Sequence, residues 1–299
     1  RDFCLSRGLG DVYKRQICSS TYFKILYYYN KNEVDSVSKL VNYVKPIAER
    51  MEFFRLYFNA QKLLIYTYTY KEKYEYAINE SLKMLERAEE LNNTDGRIAA
   101  YSCLASAYHE TNRTKEEGEA LRKAHKYVSE QTTSSTQFNV LNQLIVFSKD
   151  QKDYSSLKTY LKENKQLLQK MLSLDPDMYE SYFNLYLFSE IFQTYYYTGI
   201  GKTDSAKYHI EEAQDFITPQ SYIPYMALYY DASAEYYRHT KDYQAALLYI
   251  DSALIKMKQF ESAQMEYAKQ LSRKADILQE MGKYAAVSYT HLRAHETGR

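Results

Sequence analysis

The segment Gly199-Ile200-Gly201-Lys202-Thr203 contains residue types that bind phosphate. It matches the end of the loop G-x-x-x-x-G-K-[ST], in which backbone N–H groups surround the phosphates and the lysine neutralises their charge. That loop requires a glycine five positions before Gly201, but Tyr196 stands there. The loop also follows a β-strand, whereas this segment follows a predicted helix. We therefore interpret it as a turn between two helices, without a nucleotide site.

Histidines and cysteines are the other candidates for chemistry. Between residues 17 and 286 they are His109, His125, His209, His239, Cys18 and Cys103. No histidine has a carboxylate, cysteine or second histidine at metal-ligand spacing within its own helix. The cysteines are far apart, and no nucleophile motif of the strand–turn–helix type occurs. We predict no catalytic residue, metal site or cofactor in this part of the chain.

A repeat of about forty residues is the strongest pattern in the sequence. Its anchors, each predicted to begin a second helix after a tight turn, are Val34, Tyr74, Thr114, Tyr154, Thr203, Tyr243 and Tyr284. The intervals are 40, 40, 40, 49, 40 and 41 residues. Six positions before the anchors stand Tyr28, Tyr68, Tyr108, Ser148, Tyr197, Tyr237 and Leu278. A fixed period in this range is typical of a helical solenoid.

Small residues recur three and ten positions after the anchors, where two antiparallel helices cross. They are Ala77, Ala206 and Ala246, then Ala124, Ala213 and Ala253. Larger residues fill the neighbouring space seven after the anchor, at Leu121, Leu161, Ile210 and Ile250. Close crossing of two helices requires this alternation of small and large side chains.

This pattern resembles the tetratricopeptide repeat over most of 17–286. The best copies are Leu104-Ala105-x-x-Tyr108 with Leu121 and Ala124, and Ala234-x-x-Tyr237 with Tyr243, Ala246, Ile250 and Ala253. The resemblance implies an all-α, helix-turn-helix solenoid wound as a right-handed superhelix, with six repeats and a truncated seventh. A period of forty, against the usual thirty-four, implies longer helices.

The longest interval contains Leu172-Ser173-Leu174-Asp175-Pro176-Asp177. Asp175 is a favourable N-cap and Pro176 a favourable first helical residue. We predict that one helix ends near Ser173 and that the next runs from about Pro176 to Tyr197.

The two ends of the chain are related through their coding sequence. Arg1–Gln16 can be encoded by DNA whose reverse complement, read two bases in, encodes all of Val287–Arg299. That DNA resembles the transposase adapter and index of sequencing libraries, and such additions are excluded from fold reasoning. We expect 1–16 and 287–299 to be translated adapter, and 17–286 to be native sequence open at both ends. The alternative is an unusual native tail at each end.

Charge and hydropathy restrict the classes of partner. Without the tails, 33 of the 39 Lys and Arg and 35 of the 38 Asp and Glu remain, a net charge of −2. This balance argues against nucleic-acid binding through a basic face. No run of eighteen apolar residues occurs, so we predict no membrane span. The chain has 35 tyrosines and no tryptophan, which we attribute to codon bias and to the repeat position rather than to a ligand.

The resemblance implies that the first helix of each hairpin lines a groove for an extended peptide or a partner helix. Carried onto this chain, the groove residues are Lys62, Tyr66, Ser102, Ser106, His109, Asn142, Lys149, Tyr195, Asp231, Glu235, Arg238 and Asp276. The alternative for each residue is a solvated surface position. The Lys/Asn pattern with which some family members bind a terminal carboxylate is not reproduced.

The predicted function is a non-enzymatic module that binds a protein or peptide. Long repeats rich in Tyr, Lys and Asn resemble the sensory or regulatory segments of bacterial histidine kinases and transcription regulators. In that setting a ligand would change the superhelix pitch or the pairing with a second copy, and so bias an output domain. The alternatives are a free-standing scaffold or chaperone-like adaptor, and an accessory domain of an enzyme. The sequence leaves the compartment open between periplasm and cytoplasm.

Overall fold

The computed structural model describes residues 2–218, 221–258, 264–283, 286–287 and 290. Throughout this part of the chain the regular structure is helical, and no strand occurs. The chain divides into two compact units, Arg1–Leu144 and Ile145–Arg299. None of the described helices is both long and apolar enough to cross a membrane.

The first six helices of unit 1 pack one against the next along the chain. The helices are α1 Asp2–Asn30, α2 Val34–Arg50, α3 Phe54–Tyr70, α4 Tyr74–Glu90, α5 Thr94–Glu110, α6 Thr114–Tyr127 and the first part of α7 Ser134–Asp150. Alternate helices also pack together, α1 on α3 and α3 on α5. The odd-numbered helices therefore form one layer of the unit, as expected when hairpins stack on their neighbours.

Unit 2 repeats this arrangement. It contains the end of α7, then α8 Tyr154–Leu174, α9 Phe183–Gly199, α10 Thr203–Asp215, α11 Ile223–His239, α12 Tyr243–Lys258 and α13 Gln264–Glu280. From α8 onward, consecutive helices pack together, and α9 also packs on α11. The predicted all-α helix-turn-helix solenoid is confirmed.

Six of the predicted anchors are the first residues of even-numbered helices. They are Val34, Tyr74, Thr114, Tyr154, Thr203 and Tyr243. Tyr284, the seventh anchor, lies outside the described residues. The repeat period is therefore the number of residues between the turn of one hairpin and the equivalent turn of the next hairpin.

The turn before each anchor explains why the pattern recurs. The residue two before the anchor has a positive φ, for example 55° at Asn112, 53° at Lys152 and 72° at Gly201. The backbone N–H of the residue directly before the anchor then donates to the carbonyl of the residue six positions before the anchor. These bonds run from Arg113 to Tyr108, from Asp153 to Ser148 and from Lys202 to Tyr197, each at 2.9 Å. This is the Schellman closure of a helix C-terminus. Gly201 thus ends α9 in a repeat turn, as interpreted from the sequence.

The recurrent tyrosine also packs against the second helix of its hairpin. The Tyr197 ring stacks on His209, with centroids 5.1 Å apart, and the Tyr237 ring stacks on Tyr249 at 5.2 Å. An aromatic ring at this position therefore joins the two helices beside the turn that its own carbonyl closes.

The predicted crossing residues form the interior of each hairpin. All six alanines at the crossing positions are fully buried. Leu121, Leu161, Ile210 and Ile250 are buried beside them. The packing of small against large side chains is confirmed.

The segment between α8 and α9 corrects one prediction. The helix predicted from about Pro176 begins only at Phe183, and residues 176–178 and 180–182 form two 3-10 turns. The Asp175 side chain makes no capping hydrogen bond. Residues 173–181 are exposed, so little burial of apolar surface is available to stabilise a longer helix there. The end of α8 at Leu174 agrees with the prediction near Ser173.

Candidate functional site

A cavity of about 240 Å³ lies in unit 1. Side chains from the odd-numbered helices line it: Tyr22 from α1, Phe58 and Lys62 from α3, Ile98 from α5 and Thr136 from α7. Three groove residues proposed from the sequence, Lys62, Tyr66 and Ser102, are among the lining residues, together with Arg55, Asn59, Asp95, Ala99, Thr133, Ser135 and Asn139. The volume is below the roughly 300–1,000 Å³ typical of small-molecule sites. The cavity thus has room for one or two side chains of a longer ligand.

The cavity is polar with an excess of positive charge. Among the described residues, neither Arg55 nor Lys62 forms an ion pair. Asp95 is the single acid among the described lining residues, and it is exposed. Phe58 and Ile98 are buried and form an apolar floor. Unpaired cations around an apolar floor favour a ligand that has both an acidic group and an apolar side chain.

Behind the cavity wall, Tyr66 faces Cys103 of α5. Burial raises the pKa of the Tyr66 hydroxyl well above its usual value. Burial raises the pKa of the Cys103 thiol to about 12, although the positive charge of Lys62 and a hydrogen bond from Tyr66 act in the opposite direction. Both groups are therefore neutral near pH 7, and a neutral buried thiol is a poor nucleophile.

Ser106 takes part in a hydrogen-bond link between α5 and α7. The Gln143 amide donates to the Ser106 hydroxyl at 3.0 Å and to the Ser102 carbonyl at 3.1 Å. Asn142, beside Gln143, is half-buried on α7. Ser106 therefore contributes to helix packing in addition to its proposed groove position.

Two histidines pair with carboxylates of a neighbouring helix. His109 Nδ1 lies 3.1 Å from Glu117 Oε1 of α6, and His209 Nδ1 lies 2.5 Å from Glu190 Oε2 of α9. Each pair joins the two helices of one hairpin. Within the described residues, no group of three or more potential ligands is arranged to hold a metal ion.

Unit 2 has a second polar cluster, centred on Asp231 of α11. Asp231 is 2% exposed, and its carboxylate accepts hydrogen bonds from the Tyr195 hydroxyl of α9 and the Arg273 guanidinium of α13. The Lys149 ammonium lies 4.8 Å from the centroid of the Tyr195 ring. Side chains from α7, α9 and α13 thus lie around the carboxylate that α11 supplies.

Charge balance keeps the cluster ionised. Burial by itself raises the pKa of Asp231, but the nearby charges of Arg273 and Lys149 outweigh it and hold that pKa below its usual value. Burial and the adjacent Asp231 charge raise the pKa of Tyr195 well above normal. Asp231 is therefore an anion that accepts from a neutral tyrosine. Its second oxygen, Oδ1, is buried without a hydrogen-bond partner among the described residues.

The remaining proposed groove residues extend this cluster. Arg238 donates to Glu280 of α13 at 2.6 Å and lies 3.6 Å from Glu235. Asp276 is half-buried on α13, where its charge helps to raise the pKa of Arg238, behind the larger effect of Glu280. Of the groove residues predicted from the sequence, Lys149, Tyr195 and Asp231 thus lie together in this cluster, and Arg238, Glu235 and Asp276 lie beside one another.

Arg55, Arg273 and Glu280 were not among the groove residues expected from the sequence. Arg55 follows from helical periodicity, because positions 55, 59, 62 and 66 lie on one face of α3. Arg273 lies one residue away from the position equivalent to Asp231 in the repeat. Carrying the Asp231 position forward by one repeat therefore misses Arg273, although the Arg273 side chain reaches the Asp231 carboxylate.

The hairpins of the two units define an all-α helix-turn-helix solenoid with two clusters of converging polar side chains. No protein-family model and no curated protein matches the chain. The crystal structure of BtubC (BKLC) from P. vanneervenii is similar, with 12% identity and a TM-score of 0.47 over 75% of this chain and 90% of that one. The TPR2AB domain of yeast Sti1, in its pHSP90 complex, has 15% identity and a TM-score of 0.35 over 85% and 97% of the two chains. Similarity at this level concerns the helical architecture alone.

Proposed function

We propose that this chain is a non-enzymatic interaction module that binds a peptide or a segment of a partner protein. The observation that carries the proposal is the unit 1 cavity, to which α1, α3, α5 and α7 all contribute side chains. A ligand in contact with all four helices would be an extended segment. Its affinity would come from a few buried anchors, since a minority of interface residues supplies most of the binding energy.

The test is selection of binding peptides from a random library, followed by affinity measurements with cavity variants. Lys62→Ala and Tyr66→Ala should each weaken binding of the selected peptide about tenfold, or about 1.4 kcal/mol. Lys83→Ala is the matched control, because Lys83 is exposed on α4 and pairs only with Glu80 among the described residues. Equal affinity of both cavity variants and the control would refute the proposal.

The polar cluster of unit 2 is a second candidate surface, proposed from Tyr195, Glu235 and Arg238. Alanine variants of these three residues test it in the same assay. Unchanged affinity in all three would remove unit 2 from the binding surface and leave the unit 1 proposal intact. Asp231 is unsuitable for this test because its replacement is expected to lower the stability of unit 2.

We further propose that residues 17–286 are the sensory or regulatory segment of a larger bacterial signal-transduction protein, a histidine kinase or a transcription regulator. Repeat length and composition support this proposal. Reading the genomic DNA beyond residues 17 and 286 tests it. A membrane span followed by a kinase or DNA-binding motif would support it. An early stop codon would favour a scaffold or chaperone-like adaptor, and a catalytic domain would favour an enzyme.

A further inference from the structure

The connection between α8 and α9, residues 174–182, is an exposed segment with acidic and apolar side chains. Leu174 is 77% exposed, and Met178 and Tyr179 are about two-fifths exposed. Asp175, Asp177 and Glu180 form no ion pair among the described residues, and the segment contains no Lys or Arg. Apolar side chains beside unpaired acids can contact a partner surface that carries cations and an apolar area.

This connection is held in a defined shape. The Tyr179 ring contacts the rings of Phe183 and Tyr186, with centroids 5.3 and 5.6 Å apart. Phe216 of unit 2 packs on both of these α9 residues. Each of the 3-10 turns is closed by a backbone hydrogen bond, from Tyr179 to Pro176 and from Phe183 to Glu180. A preorganised segment loses less conformational entropy on binding than a flexible one.

The unit 1 cavity has the complementary chemistry. Arg55 and Lys62 are cations without ion pairs among the described residues, and Phe58 and Ile98 form the apolar floor between α3 and α5. The connection offers acids one and three residues beyond an exposed leucine. Each surface thus supplies the charge that the other lacks.

We propose that the connection 174–182 of one copy binds in the unit 1 cavity of a second copy of this chain. The inference rests on the proposed function of the cavity as a peptide site. Asp175 and Asp177 would pair with Arg55 and Lys62, while Leu174 or Met178 would fill the apolar floor. Because the two surfaces differ, the contact is heterologous, and a pair of copies keeps one free cavity, on one copy, and one free connection, on the other. Assembly therefore continues beyond a dimer unless the rotation closes a ring.

The test uses two full-length variants, each of which lacks the charged side chains of one of the two surfaces. The cavity variant, Arg55→Ala with Lys62→Ala, keeps an intact connection, and the connection variant, Asp175→Asn with Asp177→Asn, keeps an intact cavity. In light scattering, the mass of the wild type should rise with concentration, and each variant alone should associate at least tenfold more weakly. An equimolar mixture should form a dimer with one chain of each kind and nothing larger, since only one intact contact exists.

The matched control is Asp204→Asn with Asp215→Asn, which removes the same charge from exposed positions on α10 and should assemble like the wild type. A wild type that stays monomeric at all concentrations overturns the proposal. So does persistent assembly of both neutralised chains, or a mixture that stays monomeric. Circular dichroism of every variant confirms that its helices are intact.

The library-selected peptide separates this proposal from the function of the cavity. It should bind the connection variant as it binds the wild type, and lose affinity at least tenfold for the cavity variant. If it does so while the full-length chains do not assemble, the second-copy inference is wrong and the peptide-binding function stands. If the cavity variant changes neither peptide binding nor assembly, both proposals fail.

Discussion

Arg273 of α13 donates a hydrogen bond to the buried carboxylate of Asp231 on α11, forty-two residues earlier. The pair joins successive hairpins of unit 2 through side chains. Replacing Asp231 by asparagine leaves Arg273 without its counter-charge, and breaking a buried pair costs about 3–5 kcal/mol. Arg273 is partly exposed and can be hydrated, so we expect a loss at the lower end, about 3 kcal/mol.

Chemical denaturation measures this loss. Arg238→Gln, which breaks the more exposed pair with Glu280, is the control and should cost less than about 1 kcal/mol. A loss for Asp231→Asn as small as that of the control would show that the ion pair does not stabilise unit 2.

The Asp231 pair also predicts how stability changes with pH. The pKa of Asp231 is lower in the folded chain than its ordinary value of 3.8. Its contribution is therefore fully present above the unfolded pKa and is lost as pH falls through the folded pKa. The difference in unfolding free energy between wild type and Asp231→Asn should be constant from pH 7 to 5 and shrink below about pH 4. A difference that shrinks between pH 7 and 5 would contradict the assignment.

Gly96 allows α5 to approach α3 closely. A Cβ at this position would lie 2.6 Å from Phe58 Cζ and 2.9 Å from Ala88 Cβ. Alanine is favoured over glycine within a helix by about 1 kcal/mol. Overpacking here costs about 1–3 kcal/mol, so Gly96→Ala should lower the unfolding free energy by about 1 kcal/mol. In a Phe58→Leu background the loss should be smaller, and a gain in the wild-type background would refute the close approach.

The turn residues with positive φ give a prediction of opposite sign. Lys241 has a φ of 64° between α11 and α12. This left-handed conformation costs a non-glycine residue about 1–2 kcal/mol. Glycine avoids this cost but loses about 0.5–1 kcal/mol more chain entropy on folding. The net effect of Lys241→Gly should therefore be a stabilisation of about 0.5–1 kcal/mol. The reciprocal change Gly201→Ala, at a φ of 72° in open space, should destabilise it. Thermal unfolding of both variants checks the pair.

The helix starts could be predicted because the turn before each anchor is closed locally. The positive φ, the tyrosine carbonyl and the following N–H lie within six residues of one another, so they leave a fixed sequence pattern. The start of α9 could not, because Asp175 and Pro176 fit a helix start whose continuation is exposed and buries little apolar surface. Arg273 was missed for a different reason. A long side chain can reach a site from a neighbouring repeat position, and spacing alone does not specify its direction.

The first turns between hairpins close in the same way as the turns within them. Glu52 and Asn92 have φ values of 57° and 47°, and Phe54, Tyr74 and Thr94 each begin a helix of 17 residues. Duplication of a single twenty-residue unit in this region would keep every turn intact but would move every later helix from the odd-numbered layer to the even-numbered one, or the reverse. Only insertions of an even number of such units keep each later helix in its layer, so forty residues is the smallest step that preserves the alternation of layers.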